Sequence, residues 1–176
     1  TRSTVGFREF KKNNLDAPTI ILQKEYDQIM RMQDVLFSYK EVGDSMDKDG
    51  EREIANAWED PDTGVFCKGK ADYRNGKTLI DLKTTSDGSM NGFSKSCWVY
   101  GYNRQSAFYS DGFECDEFIF ITQEKVYPYN VSIFEVSPSF VERGRDKYKE
   151  LLLKYKRFFI DNEESVSSYL IKGVLE

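Results

Sequence analysis

Two aspartates and a lysine carry the chemistry in this sequence. Gly69-Lys70-Ala71-Asp72 is followed, across Asn75-Gly76, by Asp81-Leu82-Lys83-Thr84-Thr85. Two carboxylates within reach of one divalent cation, with an ammonium beside them, suit hydrolysis of a phosphodiester. The acids hold the metal, and the metal polarises the phosphate and acidifies a water. The lysine positions that water or offsets developing charge. Histidine is absent from the 176 residues, so no step within this chain uses a His base, a Ser–His pair or a His-ligated metal.

Chemistry of this kind needs a hairpin that brings the groups together. Asn75-Gly76 is a strong two-residue turn signal because both residues tolerate positive φ. With that turn, Arg74 faces Lys77, Asp72 faces Leu79, Lys70 faces Asp81 and Lys68 faces Lys83. Cross-strand partners share a face. Lys68, Lys70, Asp72, Asp81 and Lys83 are then expected on one side, and Cys67, Gly69, Ala71, Ile80 and Leu82 on the packed side. Asp72 and Asp81 become diagonal neighbours roughly 7–8 Å apart by Cα. Lys68 opposite Lys83 is unfavourable unless an anion such as a DNA phosphate lies nearby. An exposed hairpin with ordinary Asp–Lys pairs fits these residues equally well.

The rest of the chain alternates between helical and strand periods. Residues 1–18 read as a basic arm or short helix, 22–39 as a helix, and 43–50 as a charged loop. Strands are expected over 51–58, 65–73 and 77–85, with turn chemistry at Asp60-Pro61-Asp62-Thr63-Gly64. A loop at 87–91 precedes a helix over 98–111 capped by Gly112. Strands at 116–122 and 131–136 flank a turn. A long helix opens at Ser137-Pro138 and runs to about Asn162, with a basic side. The pattern predicts one α/β domain, 1–176.

Three separated segments, in order, resemble the RecE-type (exonuclease VIII) branch of the PD-(D/E)xK nucleases. They are Trp58-Glu59-Asp60-Pro61-Asp62-Thr63-Gly64 running on to Cys67-Lys68-Gly69-Lys70-Ala71-Asp72, then Asp81-Leu82-Lys83-Thr84-Thr85, then the helix 100–109 with its Tyr-x-x-Gln-x-x-x-Tyr pattern at Tyr102, Gln105 and Tyr109. The resemblance covers about 53–112. It implies a central mixed β-sheet flanked by helices, the restriction-endonuclease-like core, and Mg2+-dependent DNA cleavage with Mn2+ as a substitute. It implies Asp72, Asp81 and the Leu82 carbonyl as metal ligands, Lys83 as the water-orienting lysine, and Gln105 with Tyr109 beside the site. Glu53 stands where such proteins often carry a third acid. Lys68, Lys70, Tyr102, Arg104 and Tyr109 become candidates for DNA contact. Family members usually carry an upstream helix with a histidine, which this chain lacks. The chain begins at Thr1 rather than Met, and removal of upstream residues is expected.

The resemblance further implies a 5′-to-3′ exonuclease on linear duplex DNA from a phage recombination module. A single-strand annealing protein and a homo-oligomeric ring are its implied partners. An endonuclease on the same core, or a non-catalytic DNA- or partner-binding domain, remain alternatives. Bulk properties set looser bounds. Hydrophobic residues make up 39% and aromatics 15%, enough for a packed core, and the net charge is −5. That charge disfavours a coat-like DNA-binding module, and an enzyme needs only local positive charge. Cys67, Cys97 and Cys115 have no zinc or iron–sulfur spacing and read as reduced and intracellular; with the resemblance, the expected setting is the cytoplasm of a bacterial or phage-infected cell. Cys67 is expected to pack rather than react. No apolar run approaches a membrane span.

Overall fold

The computed structural model describes residues 5–14, 20–46 and 49–163. A basic amphipathic helix, α1 (Val5–Asn13), falls within the expected arm. Two helices follow, α2 (Gln23–Ser38) and α3 (Lys40–Ser45), the second lying where a loop was expected. Glu25 at the third position of α2 accepts the Leu22 N–H at 2.8 Å, which satisfies one of the free donors at the helix start. Val42 and Leu36 supply the buried contacts of this pair.

Five strands then form one mixed sheet in the order β1-β2-β3-β4-β5. They are β1 (Glu51–Glu59), β2 (Phe66–Asn75), β3 (Thr78–Thr85), β4 (Glu117–Glu124) and β5 (Val131–Glu135). Only β3 and β4 are parallel, and their crossover carries α4 (Met90–Tyr100) and α5 (Tyr102–Phe113). The chain returns through α6 (Pro138–Tyr155), which ends in a π-helical turn (Lys156–Ile160). This is the α/β domain that the pattern predicted, with the helix-flanked mixed sheet that the resemblance implied.

Each face of the sheet has its own core. Ala71, Leu79, Phe118 and Phe120 pack against Phe93 and Cys97 of α4 and Phe113 of α5. Tyr73, Ile80 and Ile121 pack against Leu36 and Val42 on the other face. The aromatic content concentrates on the first face, where Phe93 stacks on Phe134 with centroids 4.9 Å apart and meets Phe120 edge-on.

The expected single helix over 98–111 is two helices broken at Gly101. This residue has φ of +69° and caps α4 through its N–H to the Cys97 carbonyl. α4 starts earlier than expected because Ser89 is its N-cap, accepting the Gly92 N–H at 3.1 Å. Gly112 is not a cap. It lies inside α5, where an added Cβ would sit 2.3 Å from the Trp58 ring, so its bare backbone admits Trp58. Trp58 also meets Phe108 at 4.8 Å between centroids, and this packing holds the β1–β2 hairpin to α5. The segment 60–64 is a turn braced from within. Buried Asp60 accepts from the N–H and the hydroxyl of Thr63, and Asp62 pairs with Lys149 of α6 at 2.5 Å.

Candidate active site

The β2–β3 turn is Gly76-Lys77, one residue later than expected. Asn75 stays in the strand opposite Thr78, and Arg74 faces Leu79. Gly76 has φ of +57° and Arg74 Nε donates to its carbonyl at 2.9 Å, which is the arrangement of a turn that needs glycine at its first central position. The shift keeps parity, so register brings Asp72 level with Asp81 rather than diagonal to it. The strands do not stay paired that far. Their ladder ends at Tyr73–Ile80.

Asp72 stands where the strands part. Its Oδ2 accepts the Leu82 N–H at 2.9 Å, so a carboxylate takes the place of a main-chain acceptor. Side-chain alternation is interrupted here as well, since Ala71 packs on the α5 face and Tyr73 on the α2 face. Across on β1, Glu53 has φ of +53° and is missing from the otherwise regular β1–β2 register.

Asp81 is 4% exposed. Gln105 Nε2 of α5 donates to its Oδ1 at 2.6 Å, and Lys83 Nζ lies 2.7 Å from its Oδ2. Oδ2 has no other hydrogen-bond partner, and the Lys83 ammonium is its ion-pair partner. Burial pushes the Asp81 carboxyl above its ordinary range. Lys83 opposes that shift, the nearby Asp72 charge adds to it, and Gln105 opposes it. Lys83 Nζ also sits 4.7 Å from the centre of the Tyr102 ring. Tyr102 is held by Phe93, Tyr100 and Phe120. Buried Cys97 lies close enough to feel the Lys83 charge, while burial pushes its thiol up to about 11.

The donor set fits a hard divalent cation. It is all oxygen, it includes two acids, and one buried carboxylate oxygen has no partner other than the Lys83 ammonium. Asp72, Asp81 and the Leu82 main chain are the groups in place. Among the described residues no three acids converge.

The structure therefore brings Asp72, Asp81, Leu82, Lys83 and Gln105 together with Tyr102 beside them, and it places Glu53, Lys68, Lys70, Arg104 and Tyr109 elsewhere. Glu53 does not converge with the aspartates; it is exposed and ion-paired to Lys70. Lys68 and Lys70 do not face Lys83 and Asp81, because β2 has left β3 at that height and they pair instead with Ala57 and Ala55 of β1. With Tyr109 they line an open groove of about 600 Å³. Tyr109 also packs close to Gly69, where a Cβ would lie 3.1 Å from its ring. Tyr102 is a packing and cation-supporting ring under Lys83, and Arg104 is exposed beside Gly101. Cys67 is buried, its Sγ on the Val65 carbonyl. The sequence reading missed Cys97 and Phe93, which support Tyr102 and Lys83 from below. The signal was the α4 start at Ser89, hidden by treating 87–91 as a loop.

Residues 7–171 match the family model of a PDDEXK-like domain of unknown function (DUF3799). The fold is similar to a solved candidate exonuclease from Eubacterium rectale, with 16% identity, a TM-score of 0.68, and coverage of 97% of this chain and 71% of that one. A phage-related exonuclease from Haemophilus somnus 129PT aligns at 12% identity over 92% of this chain and 85% of that one, with a TM-score of 0.47. Among curated proteins none matches the sequence. No helix among the described residues is long and apolar enough to cross a membrane.

Proposed function

The chain belongs to the PDDEXK-like domain family, and from that membership we propose that it is a divalent-metal-dependent deoxyribonuclease acting on the ends of linear duplex DNA. The observation that carries this reading is the convergence of Asp72, Asp81, Lys83 and Gln105 where β2 and β3 part. The name borne by the Eubacterium rectale neighbour, a candidate exonuclease, favours end-dependent over internal cleavage. A 5′-to-3′ direction, a recombination role in a phage module, a partner annealing protein and a ring assembly belong to the same proposal through the RecE-type resemblance.

Asp72, Asp81 and the Leu82 carbonyl would hold Mg2+, or Mn2+ in its place, and such an ion polarises a phosphoryl oxygen and lowers the pKa of a bound water. The chain's own groups do the rest. Asp72 accepts the Leu82 N–H and so fixes the Asp81–Leu82 peptide between the two site residues of β3. Gln105 holds the Asp81 carboxylate in one rotamer by bonding Oδ1, which leaves Oδ2 directed at Lys83. Lys83, braced by the Tyr102 ring, places its ammonium where a phosphate oxygen or attacking water would approach.

A gel assay of end-labelled linear and circular duplexes, with Mg2+ and with chelator, tests the reading. Metal-dependent loss of the linear substrate alone is expected, and Asp81→Ala or Lys83→Ala should abolish it while the variants stay folded. Cleavage of the circle would make it an endonuclease. Full activity in either variant would overturn the site.

A further inference from the structure

The cations of α6 divide into two groups. Arg145 pairs with Asp111 and Glu142, Lys149 with Asp62, and Lys154 with Glu150. Arg143 and Lys147 are one helical turn apart, and among the described residues neither has a carboxylate within ion-pair distance. Both instead reach one indole. The Arg143 guanidinium lies 5.3 Å and the Lys147 ammonium 5.1 Å from the Trp98 ring centre. Trp98 is 49% exposed and is positioned by Phe140 at 6.1 Å between centroids. Its neighbours Val99 and Tyr100 are more exposed still.

Arg143 and Lys147 thus hold positive charge over a half-exposed indole, with no acid beside them among the described residues. The arrangement suits a ligand that carries both a flat π-face and a negative charge a few ångströms away. A nucleotide unit does. Only an unpaired base can offer that face, because in a duplex the bases are covered by stacking. The surface also connects to the candidate active site. Cys97, the residue before Trp98, lies near Lys83, and Tyr100 stacks on Tyr102, the ring beneath Lys83.

We propose that Trp98, Arg143 and Lys147 form a binding platform for single-stranded DNA, with a base on the indole and phosphates at the two cations. The identity of the ligand rests on the nuclease reading above, while the platform's existence is measured separately from cleavage.

The experiment titrates the full chain with a short oligothymidylate in chelator and follows tryptophan fluorescence and anisotropy. Quenching of Trp98 is expected, and it should vanish in Trp98→Tyr, which leaves Trp58 as reporter. Trp98→Ala should weaken binding by about tenfold to a hundredfold, with Trp98→Tyr losing less. The double variant Arg143→Ala/Lys147→Ala should weaken it and flatten the log–log salt slope by about 1.4, near 0.7 per lost phosphate contact. Affinity equal to the parent in both Trp98→Ala and the double variant overturns the proposal. So does competition by polyglutamate as effective as by the oligonucleotide, which would reduce the surface to charge alone. With chelator present no DNA is cut, so loss of the platform leaves the cleavage reading standing, and absence of cleavage leaves the titration unaffected.

Discussion

Lys83 Nζ lies 2.7 Å from Asp81 Oδ2, two side chains from alternate residues of β3 meeting over the same face of the sheet. The pair is mostly buried and has Gln105 on its other side. Removing the ammonium leaves a buried carboxylate without its cation. Lys83→Met should destabilise the protein by about 1–3 kcal/mol at neutral pH, by urea unfolding in chelator. The loss should shrink as pH falls and Asp81, whose carboxyl burial pushes up, takes up a proton.

The Asp81 carboxyl itself has a signed pH effect. Burial raises its folded pKa above the unfolded value, so the folded state holds the proton more tightly. Its contribution is therefore favourable at low pH and is lost as pH rises from about 4 through the raised folded value. Without divalent cation, the stability of the parent relative to Asp81→Asn should fall with pH across that window. A flat difference would contradict the shift.

Gln105 is a positioning residue in this arrangement. Gln105→Leu keeps the volume and removes the donor to Asp81 Oδ1. Activity or metal affinity should drop by about tenfold to a hundredfold, the usual cost of losing such a support. A Mg2+ titration of cleavage separates the two, since a bracing role raises the metal concentration required.

Glu53 gives the opposite expectation. It is ion-paired to Lys70 and exposed, at a positive φ. Glu53→Gln should leave cleavage within about threefold of the parent, where Asp72→Asn abolishes it. Equal losses in the two variants would restore Glu53 as a third metal acid.

Asp111 ties α5 to α6. Burial pushes its carboxyl up, but the bidentate Arg145, at 2.7 and 2.8 Å, and the Tyr148 hydroxyl outweigh that, and the net shift is downward. A depressed folded pKa stabilises above the unfolded value and is lost as pH falls. Asp111→Asn should cost about 1–3 kcal/mol at pH 7 and progressively less below pH 4, by urea unfolding. On the same interface, a Cβ at Gly144 would lie 1.8 Å from the Asn103 carbonyl oxygen. Gly144→Ala must push the helices apart, at about 3 kcal/mol or more.

Periodicity and turn chemistry were enough to locate the five strands and the central hairpin, because these depend on local alternation and on residues such as Gly76, while the helix-flanked mixed sheet came from the family resemblance. That Asp72, Asp81 and Lys83 lie close together followed from the hairpin parity, while their expected roles came from the resemblance. What the sequence could not contain was the parting of β2 from β3 after Tyr73 and Ile80. A register extended along the whole hairpin sets Lys68 and Lys70 against Lys83 and Asp81. In the fold Trp58, seated in the gap left by Gly112, holds the β1–β2 hairpin to α5, and Asp72 turns inward to the Leu82 N–H. Likewise no local pattern distinguishes Arg143 and Lys147 from the other cations of α6, because their difference lies in which distant groups meet them. Residue type and short-range spacing determined which groups could do the chemistry. Long-range packing decided which of them meet, because a strand's partner depends on contacts far along the chain.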